Sequence, residues 1–217
     1  MIEVTIGREA LLSNLYRQIS SFWGIDGKEK LLIEDNLDVV LARCEINLSA
    51  VQNKYIVNGL GGVKLNPFHS VQYMILLYYL SNTLYKNGKG GQLSDKLYYL
   101  NKTMNGVDMF YAIEMPEHFF AEHPVGSVMG RGKFSDGFFF YQGCTVGGTK
   151  DRNGIISYPE LGENVHMFAN SSILGKCKIG NNVNIGAGAI VKNQDVPDNC
   201  IVFGESPHLI IKASSND

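Results

Sequence analysis

Residues 161–196 read LGENVHMFANSSILGKCKIGNNVNIGAGAIVKNQDV, and the period of this stretch decides the fold. Every sixth residue from Leu161 is aliphatic or methionine: Leu161, Met167, Ile173, Ile179, Ile185 and Val191. Four places after each of these stand Val165, Ser171, Cys177, Val183, Ala189 and Asp195, small or compact in all but the last. Glycine follows the aliphatic at Gly162, Gly180 and Gly186. A period of six fits neither the 3.6 of a helix nor the 2 of a strand. It fits a solenoid in which each hexad forms one flat face and three hexads close one triangular coil. The aliphatic side chain then fills a narrow prism, the small residue lets coils stack, and glycine takes the turn.

Working outward, Val128, Phe134, Phe140 and Val146 stand six apart, with Gly132, Phe138 and Cys144 in the companion position. The segment from Thr149 to Pro159 breaks the period and is expected as a loop thrown out from a corner, within 149–160. The solenoid is therefore assigned to residues 106–212. Upstream, residues 1–105 read as helical. Leu11, Leu12, Leu15, Tyr16 and Ile19 make one apolar stripe over Arg8 to Phe22. Glu34 to Val51 repeats the pattern, and a loop with Gly59, Gly61 and Gly62 follows. Asn66 and Pro67 predict the start of a third helix running to Lys86. Gly88 to Gly91 reads as a hinge, and Ser94 as the start of a short fourth helix.

Composition narrows the function classes. Of the 217 residues 45% are hydrophobic, enough for a packed core and too many for a disordered chain. Nineteen basic against 21 acidic residues leave a net charge of −2, without the basic excess of a nucleic-acid binder. No apolar run reaches the length of a membrane span, and the first residues lack the order of a signal peptide. Cys44, Cys144, Cys177 and Cys200 form no CxxC pair and are expected as free, buried thiols of a cytoplasmic chain.

The hexads resemble the left-handed β-helix acyltransferases, and within them the serine acetyltransferase group. The resemblance rests on Glu122-His123-Pro124-Val125-Gly126, on Gln142 through Thr149, on Ile173-Leu174-Gly175, Ile179-Gly180 and Ile185 through Ala189, and on Asp195-Val196-Pro197 and Gly204 through Pro207. It implies an α+β chain, an N-terminal helical region followed by a C-terminal left-handed parallel β-helix. It implies acetyl-CoA as co-substrate and a homotrimer or dimer of trimers with the site between neighbouring prisms; no Cys/His spacing points to a metal, and none is expected. It also implies that His123 is the general base, paired with the Asp fifteen positions upstream, Asp108. His118, five residues away, is the rival base. Glu122 stands where the family has an Asp that contacts the acceptor.

The chemistry is independent of the family. A hydroxyl attacks a thioester at neutral pH only if a base takes its proton, and an imidazole is well placed to do so. A carboxylate on the other ring nitrogen fixes the tautomer and stabilises the imidazolium. For the coenzyme arm the resemblance points to Gly148, Ala169 and Ala187 as small groove residues. Lys192, with Lys176 and Lys178, is a candidate for the phosphates. In the corner loop, serine acetyltransferases carry an Arg-His-Pro triplet that grips the serine carboxylate. Here Pro159 matches, Ser157 and Tyr158 precede it, and Arg152 lies elsewhere in the loop. A carboxylate favours a bidentate Arg, so this departure, with the aromatics Phe119, Phe120, Phe138, Phe139, Phe140 and Tyr141, points to a sugar. The expectation is an O-acetyltransferase acting on a sugar hydroxyl of a bacterial surface polysaccharide or its precursor, in which Glu122, Tyr158 and Arg152 bind the acceptor. The alternatives are serine O-acetyltransferase, amino-sugar N-acetylation, and a catalytically silent trimeric scaffold.

Overall fold

A computed structural model of the chain describes residues 2–51, 55–57 and 62–214. The expected loop glycines Gly59 and Gly61 lie outside these residues. The chain divides into two compact units, one of residues up to Asn105 with Phe110–Ala112, the other of Gly106–Met109 with the residues from Ile113 on.

The first unit holds four helices among the described residues, α1 (Arg8–Phe22), α2 (Gly27–Ser49), α3 (Ser70–Lys86) and α4 (Gly91–Asn105). Helix α1 buries Leu11, Leu15 and Ile19, one side of its stripe. Helix α2 begins seven residues before the expected Glu34 because Asp26 and Glu29 form a capping box. The Glu29 N–H donates to Asp26 Oδ1 at 2.8 Å, and the Asp26 N–H to Glu29 Oε2 at 3.2 Å. Helix α3 begins later than expected. Asn66 Oδ1 accepts from the Phe68 N–H at 3.0 Å, so Asn66 closes a turn, and His69 is the residue that enters the helix. Every residue from Val71 to Leu84 is buried. Gly88 to Gly91 is a tight turn and not a hinge: the N–H groups of Lys89 and Gly90 both donate to the Leu84 carbonyl, and Gly90 is packed against Ser94.

The second unit is a left-handed parallel β-helix of about five coils. Its first face stacks Phe119–Ala121, Phe138–Phe140, His166–Met167, Val183–Ile185 and Cys200–Phe203 in parallel. Ile210–Ala213 adds the terminal strand, antiparallel to Cys200–Phe203. The second face stacks Asp108–Met109, Val128–Met129, Thr145–Gly147, Ser172–Leu174 and Ile190–Lys192. The third carries Lys133, Glu160–Leu161, Lys178–Ile179 and Val196. All six aliphatic hexad positions from Leu161 to Val191 are buried, as are the companions from Val165 to Ala189.

Ile173 pairs with Val191, one coil of eighteen residues, but Val146 pairs with Ile173 across twenty-seven. The extra residues form an antiparallel hairpin, Thr149–Lys150 against Ile156–Ser157, at the corner between the second and third faces. Upstream the simple period fails: Met129, not Val128, pairs with Val146 and is buried, while Val128 is 39% exposed. The corner from the third face to the first is a side-chain ladder. Asn164, Asn182 and Asn199 each have a left-handed backbone, with φ of 54°, 55° and 55°. Asn164 Nδ2 donates to Asn182 Oδ1 at 3.0 Å, and Asn182 Nδ2 to Asn199 Oδ1 at 2.9 Å. Gly137 tops this column with φ of 80°, where a Cβ would strike the Asn164 amide.

Candidate active site

The candidate base lies at the corner between the first and second faces. Ala121 pairs with Phe140 and Val128 with Thr145, so residues 122–127 turn a corner that residues 141–144 turn in the next coil. The two extra residues belong to a bulge containing His123, which has φ of 50° and is exposed. A left-handed conformation is uncommon outside glycine and asparagine. It is held here by the Val125 N–H on the His123 carbonyl at 2.8 Å and the Ser127 N–H on the Pro124 carbonyl at 3.1 Å.

Asp108 lies on the preceding coil at the same corner. Its N–H donates to the Ser127 carbonyl at 2.9 Å, and the Gly126 N–H donates to the Gly106 carbonyl at 2.8 Å. Met109 points into the prism, so alternation turns Asp108 outward. Asp108 and His123 thus share one edge on successive coils.

Glu122 neighbours Tyr141, which lies at the same corner one coil on. The Tyr141 pKa is raised, first by burial and then by the neighbouring Glu122 carboxylate, so the phenol stays protonated. The Tyr141 ring stacks on Phe168 with centroids 5.4 Å apart and meets Phe139 edge-on at 5.2 Å. Phe168 was not among the residues the sequence singled out. Its signal is an aromatic in an outward hexad position, beside the inward Met167.

The coenzyme candidates divide. The Gly188 N–H donates to the Ala169 carbonyl at 2.9 Å, and Met167 pairs with Ile185, which puts Ala169 and Ala187 at the His123 corner on lower coils. From the His123 coil to the Ala187 coil is three strand spacings, about 14 Å. Gly148 and Lys192 do not join them. They stand at the opposite edge of the second face, since Gly147, Leu174 and Lys192 form one column. The reason is phase: one hexad separates the two edges. Gly148 lies beneath Tyr158, where a Cβ would come within 2.7 Å of the ring. The Lys192 N–H donates to Ser206 Oγ at 3.0 Å. Tyr158 and Arg152 belong to the hairpin on that same edge. Asp151 Oδ1 ties its tip by accepting from the Asn153 and Ile155 N–H groups at 2.8 and 2.9 Å, and Arg152 is exposed.

The aromatic entrance is smaller than expected. Phe119, Phe138 and Phe140 line the inside of the prism and Phe120 is buried, leaving Phe139 and Tyr141 on the outer side. His118 sits at the opposite edge of the first face from His123, with Nδ1 3.4 Å from Asp136 Oδ2. With Glu117 these residues place three potential metal-ligand atoms within 4.8 Å of one another. Asp136 Oδ1 accepts from the His118 N–H at 3.0 Å, the same corner bond that Asn181 makes to the Glu163 N–H and Asp198 to the Asn181 N–H. That carboxylate therefore has a structural role of its own. The four cysteines are free and buried.

A family profile for the bacterial transferase hexapeptide (six repeats) matches residues 158–193. A serine acetyltransferase of Synechococcus elongatus is 35% identical over 118 residues, 54% of this chain and 48% of that protein. One of Staphylococcus epidermidis is 33% identical over 132 residues, 60% of this chain and 61% of that one. The chain thus spans about half to three fifths of the length of these curated relatives. Among solved structures, Neisseria gonorrhoeae serine acetyltransferase aligns with a TM-score of 0.71 and 24% identity over 97% of this chain and 82% of that one. The same protein in complex with serine aligns at 0.69, with 24% identity over 95% and 85%. A serine acetyltransferase in complex with CoA aligns at 0.68, with 19% identity over 91% and 82%.

Proposed function

We propose that this chain, a hexapeptide-repeat protein with the serine acetyltransferase fold, transfers the acetyl group of acetyl-CoA to the side-chain hydroxyl of L-serine. The observation that carries the reading is the shared edge: Asp108, the bulged His123, Ala169 and Ala187 follow one another along a single corner. In this reading the coenzyme arm lies along the small residues and brings its thioester to the imidazole. His123 takes the serine hydroxyl proton as the oxygen attacks the carbonyl carbon, and returns it to the departing sulfur. Asp108 holds the tautomer and stabilises the imidazolium. Glu122, beside Tyr141, faces the serine ammonium.

A sugar acceptor is less well supported. It rested on the missing Arg-His pair and on six aromatics, four of which are buried. The similar proteins are serine acetyltransferases, one of them solved with serine bound. The hairpin bearing Tyr158 and Arg152 lies a face away from His123 in its own chain, which favours a trimer where each hairpin completes the neighbouring chain's site. The test is product analysis by mass spectrometry, offering acetyl-CoA with L-serine and separately with a panel of mono- and oligosaccharides. O-acetylserine formed in step with free thiol is the expected product. An acetylated sugar with unmodified serine overturns the reading.

A further inference from the structure

The helical unit holds a concavity of about 680 Å³ that the acetyl-transfer reading does not use. It is lined by Trp23 at the end of α1, by Gln92, Asp95, Lys96, Tyr98 and Tyr99 of α4, and by Phe110. Its rings are set edge to face: Trp23 meets Tyr99 at 73° with centroids 5.4 Å apart, and Tyr98 meets Phe110 at 90° and 5.3 Å. Four aromatic side chains, in two edge-to-face pairs, thus belong to the lining of one concavity. Trp23 and Tyr99 are 39% and 54% exposed.

The charges point the same way. Lys96 is already committed, its Nζ donating to both Glu29 oxygens at 2.7 and 2.9 Å and to the Gly24 carbonyl at 3.2 Å. Asp95 meets no cation among the described residues. Its Oδ1 accepts from the Tyr111 hydroxyl at 2.7 Å. With Lys96 held by Glu29, Asp95 is the remaining charge of the lining; Lys102, outside the lining, stands with its ammonium 6.0 Å over the Tyr98 ring. A cation here gains both the carboxylate and the ring quadrupoles, whereas an anion meets Asp95 and a neutral ligand gains neither.

We propose that this concavity is a binding site for a small organic cation carrying an alkylammonium group. The site lies within the helical unit and is independent of the acetyl-transfer reading.

Trp23 is the only tryptophan in the chain, so fluorescence excited at the indole reports on this site alone. The full chain is titrated with choline and, in parallel, with its uncharged isostere 3,3-dimethylbutan-1-ol. The expected result is a saturable change with choline and a much weaker response to the alcohol. Asp95→Asn, which keeps the bond to Tyr111, should weaken choline binding roughly two- to fivefold, and Tyr99→Leu by a similar factor. Both positions are exposed, and circular dichroism checks that the variants fold. No saturable change with choline, an equal response to the alcohol, or unaltered affinity in both variants overturns the proposal.

Discussion

At the scale of single residues, His123 and His118 make the sharpest contrast. His118 has a carboxylate 3.4 Å away, that of Asp136, whereas His123 shares its edge with Asp108 and with the small residues Ala169 and Ala187. His123→Ala should lower turnover by about two to four orders of magnitude while acetyl-CoA binding persists. His118→Ala should leave turnover near the parent value. Asp108→Asn should cost less than His123→Ala, because the base remains and only its orientation and the imidazolium suffer. Steady-state kinetics with a thiol-trapping assay separates the three. Two other histidines carry a pH signature. Burial lowers the pKa of His69 and His166. A group favoured neutral when folded adds stability above its unfolded pKa of about 6.5, and that stability is lost as pH falls below it. Denaturant midpoints should therefore drop between pH 7 and 5, with a smaller slope in a His69→Gln, His166→Gln double variant. An unchanged slope would assign the acid sensitivity elsewhere.

At the scale of elements, the β-helix was legible because an interior position every sixth residue is a strict geometric demand, and Leu161 through Val191 meet it without a gap. The register upstream was not, because a corner bulge and a one-residue slip shift the phase and exchange Val128 for Met129. The start of α2 was legible in principle from the Asp26 and Glu29 spacing. The split of Gly148 and Lys192 from Ala169 and Ala187 could be counted in hexads once three faces were drawn. The stack of Tyr141 on Phe168 could not, since it joins residues on successive coils through side-chain orientation alone. Corners suggest a stability test. Asn182→Val removes both amide bonds of the ladder and places a β-branched residue at positive φ, and should cost about 2–4 kcal/mol in urea unfolding. Asn182→Gly loses the bonds but tolerates the backbone, and should cost less. Equal losses would mean that the backbone conformation contributes nothing. The hairpin should govern the acceptor, so Tyr158→Ala should raise the acceptor KM with acetyl-CoA KM near unchanged. An equal rise in both would remove that role.

At the scale of the whole molecule, one edge of the second face carries His123 and the opposite edge carries the hairpin. The proposed function joins the two edges through a neighbouring chain, in a head-to-tail contact that closes into a ring. Sedimentation equilibrium should give a trimer or a multiple of it, and an active monomer would remove the need for a neighbouring hairpin. The central claim, that the His123 edge performs acetyl transfer to serine, is tested most directly by single-turnover release of free thiol from acetyl-CoA with L-serine present, in the parent chain and in His123→Ala at equal coenzyme saturation. The account predicts serine-dependent release in the parent and a rate lower by about two to four orders of magnitude in the variant. Release at the parent rate from His123→Ala, or release in the parent that does not depend on serine, would contradict it.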